Sequence, residues 1–181
     1  MAIKNYTSNI PINRIFARLQ KTLAEHGAKQ IMFDYGEDGK IYGVFFIVNV
    51  KDKPLRIKLP AKVDKAAAIL KQQYQRGLIS SRKVLEPEQA YSVAWRNILD
   101  WTEAQMALLD IEMARMEEVF LPYMATNGGK TLFEIYDEKG FKLPELQSGN
   151  EPIEGEVIAG SGSGGGGGYG SSDGYGGGGY D

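Results

Sequence analysis

Between two turn signals lies a ten-residue run, Ile41–Val50, in which only Gly43 and Asn49 interrupt the apolar character. Gly36-Glu37-Asp38-Gly39 precedes it and Lys51-Asp52-Lys53-Pro54 follows it. Such a run, bounded by turn chemistry on both sides, reads as a central strand buried on both faces. Its neighbours fit that place. Gln30–Tyr35 alternates, with Ile31, Phe33 and Tyr35 on one side; Leu55–Leu59 alternates with Leu55, Ile57 and Leu59 inward and Arg56 and Lys58 outward. Ala2–Thr7 is a candidate fourth strand.

Helical periodicity surrounds this sheet. Pro11 to His26 carries Ile12, Phe16, Leu19 and Leu23 on one face and Arg14, Arg18 and Lys21 on another, and Gly27 stops it. Lys62 to Arg76 carries Val63, Ala67, Leu70 and Tyr74, and Gly77 stops it. Pro87 to Leu121 holds a third stripe: Tyr91, Trp95, Ile98, Thr102, Met106, Leu109, Met113, Met116 and Phe120, closed by Pro122. One helix over 87–121 would run roughly 50 Å. That outruns a small sheet, so part of the stripe is expected to meet another chain, or the helix to break. Thr131–Tyr136 with Gly140–Leu143 is compatible with a hairpin or with a short helix. The fold class expected is α+β: an antiparallel three- or four-stranded sheet with two helices, in the order α-β-β-β-α, plus one long C-terminal helix.

The domain layout follows from composition. Of 23 glycines, 13 fall in residues 160–181, a segment made only of Gly, Ser, Tyr and Asp. Too little apolar surface exists there to offset the entropy of ordering, so it is expected to be disordered. Residues 143–159 form an acidic linker, and residues 1–142 a single folded domain.

Charge divides the chain more sharply than its net of -2 suggests. Residues 1–84 hold 16 Lys/Arg against 6 Asp/Glu; residues 85–142 hold 5 against 11; residues 143–181 hold 6 acids and no base. Cations converging from strand, turn and helix are what phosphate neutralisation requires. The candidate nucleic-acid contacts are Arg14, Arg18, Lys51, Lys53, Arg56, Lys58, Lys62 and Lys65, with Tyr35, Tyr42 or Tyr74 available to stack bases if exposed. Trp95, Arg96 and Trp101 are candidates for an interaction surface on the long helix, Arg96 and Asp100 being spaced to pair at i, i+4.

Other chemistry finds little support. The chain has no Cys and one His, His26, which excludes a disulfide framework, a thiolate site and a multi-His metal site within one chain. Gly129-Lys130-Thr131 ends like a phosphate-binding loop, but Met124 stands where its first Gly belongs and a helix precedes it. Asp34, Glu37 and Asp38 lack calcium-loop spacing, and Glu112, Glu117 and Glu118 lack histidine partners. His26 beside Gly27 complements a helix end. No catalytic residue, metal or cofactor is expected, and the protein is not expected to be an enzyme. Neither a secretory signal nor a membrane-spanning run is recognisable, so a cytoplasmic protein away from membranes is expected, with homo-oligomerisation through the long helix possible.

Three resemblances add to this. The opening Met1-Ala2-Ile3-Lys4-Asn5-Tyr6-Thr7, Leu59-Pro60-Ala61, and the helical stretch Ala94-Trp95-Arg96-Asn97-Ile98, Asp100-Trp101 and Ala104-Gln105-Met106-Ala107 resemble a family of small proteins of tailed phages and prophages of Gram-positive bacteria, as does Val119-Phe120-Leu121-Pro122-Tyr123. That resemblance implies a mobile-element origin and a host-cytoplasmic setting, and no activity. The helix–three strands–helix order over residues 11–76 is similar to the double-stranded-RNA-binding domain, with Lys62 and Lys65 near that family's phosphate-contacting helix start, but without its Gly-x-x-Ser-Lys-Lys segment. The tail, with Tyr169, Tyr175, Tyr180 and terminal Asp181, resembles the Gly-rich acidic tails of bacterial and phage single-stranded-DNA-binding proteins, which hold off the protein's own basic groove or recruit partners. The function expected is a non-enzymatic phage accessory protein that binds nucleic acid, single-stranded DNA or RNA favoured; the alternative is an assembly factor working through its Met- and Trp-rich helix.

Overall fold

A computed structural model describes residues 1–141; the linker and tail expected over 143–159 and 160–181 lie outside the described residues. The element order is α1 (Ile12–Glu25), β1 (Ala28–Tyr35), β2 (Ile41–Val50), β3 (Lys53–Pro60), α2 (Val63–Gln75), a 3-10 turn (Arg82–Leu85), α3 (Pro87–Asp110), α4 (Met116–Phe120), a second 3-10 turn (Leu121–Tyr123) and α5 (Leu132–Glu138). The fold is α+β, and its sheet is an antiparallel meander of order β1-β2-β3.

Register fixes which side chains share a face. Phe33, Val44 and Leu59 align across the sheet, as do Ile31, Phe46 and Ile57, and then Ala28, Val48 and Leu55. These rows form the inner face and pack with Ile15, Leu19 and Leu23 of α1 and with Tyr91, Trp95, Leu99 and Met106 of α3. Phe16 bridges the layers, its ring 4.9 Å from Trp95 and 5.5 Å from Phe33. Helix α2 packs mainly on α3, in a second core of Leu70, Ile79, Val84, Ala90 and Val93.

The opposite face has no such cover. Met32, Phe45 and Lys58 align there, as do Gln30, Ile47 and Arg56. Phe45 and Ile47 are half-buried, Met32 is 63% exposed, and none of the three belongs to either core. The expectation that β2 is buried on both faces is therefore corrected: β2 is central, but helices cover only one side. An apolar run cannot reveal this, because its outward positions are as apolar as its inward ones.

Two further expectations change, and one open choice is decided. Ala2–Thr7 is not a strand; it lies as a strap across α2 and α3, where the Ile3 N–H donates to Gln73 (2.8 Å) and the buried Gln89 amide donates to the carbonyls of Tyr6 and Ser8. The helix expected over 87–121 ends at Asp110, and Glu112 takes φ 55°. A left-handed non-glycine residue costs about 1–3 kcal/mol. The turn folds the end of the stripe back, so that Phe120 is fully buried, 5.5 Å from Phe46 and 5.6 Å from Trp101. Burying such a ring returns a comparable amount, about 1.5–3 kcal/mol. Lastly, of the two readings left open after Thr131, the helix forms, with Thr131 Oγ1 accepting the Glu134 N–H and the Glu134 carboxylate accepting the Thr131 N–H.

Tyr91 and Trp95 join α3 to the sheet at one residue. A register shift at Tyr42 displaces Ile41, and β3 ends opposite Gly43, so no strand flanks Ile41 on that side. Instead the Ile41 N–H donates to the Tyr91 hydroxyl and the Ile41 carbonyl accepts from the Trp95 indole N–H, both at 3.0 Å. Trp95→Phe, which leaves that carbonyl unpaired, is expected to lose about 1–3 kcal/mol; Trp95→Ala is expected to lose about 3–5 kcal/mol. Urea unfolding of both variants checks the order.

His26 behaves as its position at a helix end suggests. Burial lowers its pKa, but its ring nitrogen against the Thr22 carbonyl (2.6 Å) and the Asp110 carboxylate raise it more, leaving it above 6.5. The stabilisation is thus complete below the unfolded value of 6.5 and lost as pH rises through the higher folded value. Wild type should exceed His26→Gln in stability more at pH 5.5 than at pH 9, measured by urea unfolding at each pH.

Candidate nucleic-acid interface

The uncovered sheet face presents a mixed surface. Arg56 and Lys58 project from β3 beside Ile47 and Phe45 of β2. The Lys58 ammonium lies 5.5 Å from the Phe45 ring centroid and donates to the Gly129 carbonyl at 3.4 Å. The Arg56 carbonyl accepts the Ala125 N–H (2.8 Å), and Ile57 bridges Met124, so the 124–131 segment lines the far edge of β3. Beyond it Lys62, the residue that opens α2, stands 6.0 Å over the ring of Phe133, and Lys65 follows within the first turn. Lys51 and Lys53 stand at the β2–β3 turn, where Lys51 and Asp52 both have positive φ, as a tight hairpin turn demands, and Lys53 pairs with Val50 of the covered face.

Two local features shape the electrostatics of this surface. Lys62 and Lys65 both stand at the N-terminal end of α2, which has no side-chain cap and carries Asp64 between them in its first turn. In addition, Glu134 lies close enough to Lys58 and Lys62 to feel both charges. The Thr131 N–H holds its carboxyl below the usual range, against the effect of burial and with help from the Lys58 and Lys62 ammonium groups. None of Arg56, Lys58, Lys62 and Lys65 forms an ion pair within 4 Å among the described residues.

Four of the eight residues expected to contact nucleic acid thus share the uncovered side or its rim, Arg56, Lys58, Lys62 and Lys65, whereas Lys51 and Lys53 stand at the β2–β3 turn, Lys53 in the row of Val50 on the covered face. Arg14 and Arg18 do not join them. Both stand on α1, which packs against the inner face, and Arg18 forms a bidentate pair with Glu103 of α3. The tyrosines named as stacking candidates also lie elsewhere. Tyr42 donates to Asp38 at the β1–β2 turn, Tyr74 packs on the second core, and Tyr35, though 63% exposed, is at the far end of β1. Phe45 and Phe133 take their place. Phe45 was concealed within an apolar run; Phe133, 43% exposed, was concealed by an undecided element.

The interaction residues proposed on the long helix resolve differently. Trp95 is fully buried, Trp101 is half-buried against Phe120 and Tyr123, and Arg96 pairs with Asp100 at 2.9 Å as its spacing predicts. Asp100 also receives Lys4 (2.8 Å) and Asn5 (3.0 Å), while the Asn97 amide donates to the Lys4 carbonyl. Burial pushes the Asp100 carboxyl up, but Lys4, Asn5 and Arg96 together outweigh it and hold it below the usual carboxylate range. These residues fasten the N-terminal strap to α3. The Met- and Trp-rich stripe mostly packs as core; its exposed member is Met113, in the turn after α3 beside the exposed Ile111.

Among the described residues no helix is long and apolar enough to cross a membrane. Glu134→Gln retains a side chain able to accept the Thr131 N–H but removes the negative charge beside Lys58 and Lys62. Affinity for a polyanion at low salt is expected to rise about two- to fivefold, measured by heparin or oligonucleotide titration.

No family model, no curated protein and no solved structure matches this chain.

Proposed function

We infer that this protein binds nucleic acid, in single-stranded form, through the uncovered face of its sheet and the start of α2, and that it does so without catalysis, as a phage or prophage accessory protein acting in the host cytoplasm. The observation that carries the reading is the pairing of half-exposed aromatic side chains with cations on one surface: Phe45 under Lys58, and Phe133 under Lys62. Exposed rings accept unstacked bases, and flanking cations neutralise the phosphates between them. A duplex keeps its bases stacked inside and has no use for such rings, so a single strand is favoured. Residues 143–181, with six acids and no base, supply a competing polyanion or a recruiting segment.

Most of the stripe through which a homo-oligomer was expected packs within the chain, with Met113 left exposed.

The test is a titration of labelled single- and double-stranded DNA and RNA at two salt concentrations. With Arg56, Lys58, Lys62 and Lys65 engaged, log affinity should fall against log salt with a slope of about -3, at ~0.7 per neutralised phosphate of a single strand. The pair Lys58→Glu, Lys62→Glu should at least halve that slope while leaving the circular dichroism spectrum unchanged. Removal of residues 144–181 should strengthen binding if they compete. Absence of binding at low salt with and without those residues would overturn the reading.

A further inference from the structure

A groove of about 590 Å³ opens between α2, α3 and α5, with Lys62 and Lys65 in its lining beside Pro60 at the end of β3. Its walls are largely apolar: Ala66 and Ile69 from α2, Ala94 and Ile98 from α3, and Pro122 and Tyr123 from the second 3-10 turn. A smaller hollow of about 230 Å³ over Trp101 shares Pro60, Asn97, Ile98 and Tyr123 with it and extends its floor. Phe133 stands at its edge, 43% exposed, with the Lys62 ammonium over its ring and Lys65 on the rim. The Phe141 ring packs edge-on against Phe133 at 5.6 Å. The part-exposed phenyl ring, the apolar floor and two cations on one side form a complementary set for one kind of group: a flat, apolar-faced ring whose phosphates lie on the lysine side.

We propose that this groove is a base-accepting subsite of the nucleic-acid interface, in which one unstacked nucleobase lies against Phe133 while Lys62 and Lys65 hold the flanking phosphates. The proposal rests on the nucleic-acid reading above and deepens it. The strand leaves the sheet at Phe45 and Lys58, passes the turn at Gly129 that Lys58 contacts, and reaches Phe133 beneath Lys62. Glu134 lines the groove as well, so phosphates are confined to the lysine side of the ring.

The polar groups of the groove also fix its selectivity. The Asn97 amide donates to the carbonyls of Lys4 (3.0 Å) and Val93 (2.8 Å), and its oxygen accepts from Asn5. The Thr131 hydroxyl and the Glu134 carboxylate are engaged with each other's backbone N–H groups. Groups committed within the protein do not discriminate base edges, whereas every base offers a face to stack. The subsite is therefore sequence-tolerant.

The experiment uses the full-length protein, with fluorescence anisotropy of labelled 16-nucleotide dT, dC and mixed-sequence strands, and with 2-aminopurine placed within the strand to report stacking. Phe133→Ala is expected to weaken binding about five- to 150-fold, the range of one stacked base. Phe133→Trp should retain wild-type affinity or exceed it and should quench 2-aminopurine, which a merely structural ring would not do. Lys65→Glu, on an exposed side chain, should weaken binding in proportion to salt sensitivity, and the three strands should agree within about fivefold. Wild-type affinity in Phe133→Ala, with loss in Phe45→Ala and in Lys58→Glu, Lys62→Glu, would overturn the subsite and leave the sheet interface standing. So would equal losses in Phe133→Ala and Phe133→Trp. A preference above about fiftyfold for one strand would overturn the sequence tolerance. Failure of every strand to bind wild type would remove the underlying reading, and the subsite with it.

Discussion

The two hydrogen bonds between Ile41 and the side chains of Tyr91 and Trp95 are the joint on which the architecture turns. Ile41 begins the central strand at a register shift, where its backbone has lost a strand neighbour. A buried backbone group without a partner is costly. The phenol and the indole supply the missing acceptor and donor, and their rings add apolar area at the same place. Helix α3 is thereby set across the inner face of the sheet, and α1 fits beside it through Phe16. With α3 in that place, α2 packs on α3. The helix–three strands–helix order is the one expected, but the third helix holds the layer position against the strands.

That arrangement makes the sheet one-sided. All the helical cover lies over Val44, Phe46, Val48, Ile57 and Leu59. The other rows, with Met32, Phe45, Ile47, Arg56 and Lys58, are left to solvent. The central strand thus keeps two half-exposed apolar side chains beside cations, the mixed surface on which the proposed interface rests. Helix α2, held away from the sheet, brings its lysine-bearing start to the margin of the same surface. The Asp100 cluster serves a different end. It ties the opening segment to α3 through Lys4, Asn5, Arg96 and Asn97, so that two stretches more than ninety residues apart in the chain form one buried-edge network.

Much was legible in the residues alone. The turns around Ile41–Val50 and the alternation of Leu55, Ile57 and Leu59 determined three strands, their order and the inward set on β3, because period-two patterning is a direct readout of a half-buried strand. Helical spacing and the glycine stops determined α1 and α2, and i, i+4 spacing determined the Arg96–Asp100 pair. The tertiary structure alone decided which face of β2 is covered, since an all-apolar strand carries no mark of its exposed side. It decided where α3 ends, because no Gly or Pro signals the break at Glu112; only the burial of Phe120 against Phe46 and Trp101 favours it. It also decided the site. Lysines are equally spaced along the sequence whether or not they meet, and only the packing of α2, β3 and α5 sets Lys58 and Lys62 over Phe45 and Phe133 while sending Arg14 and Arg18 to the opposite side.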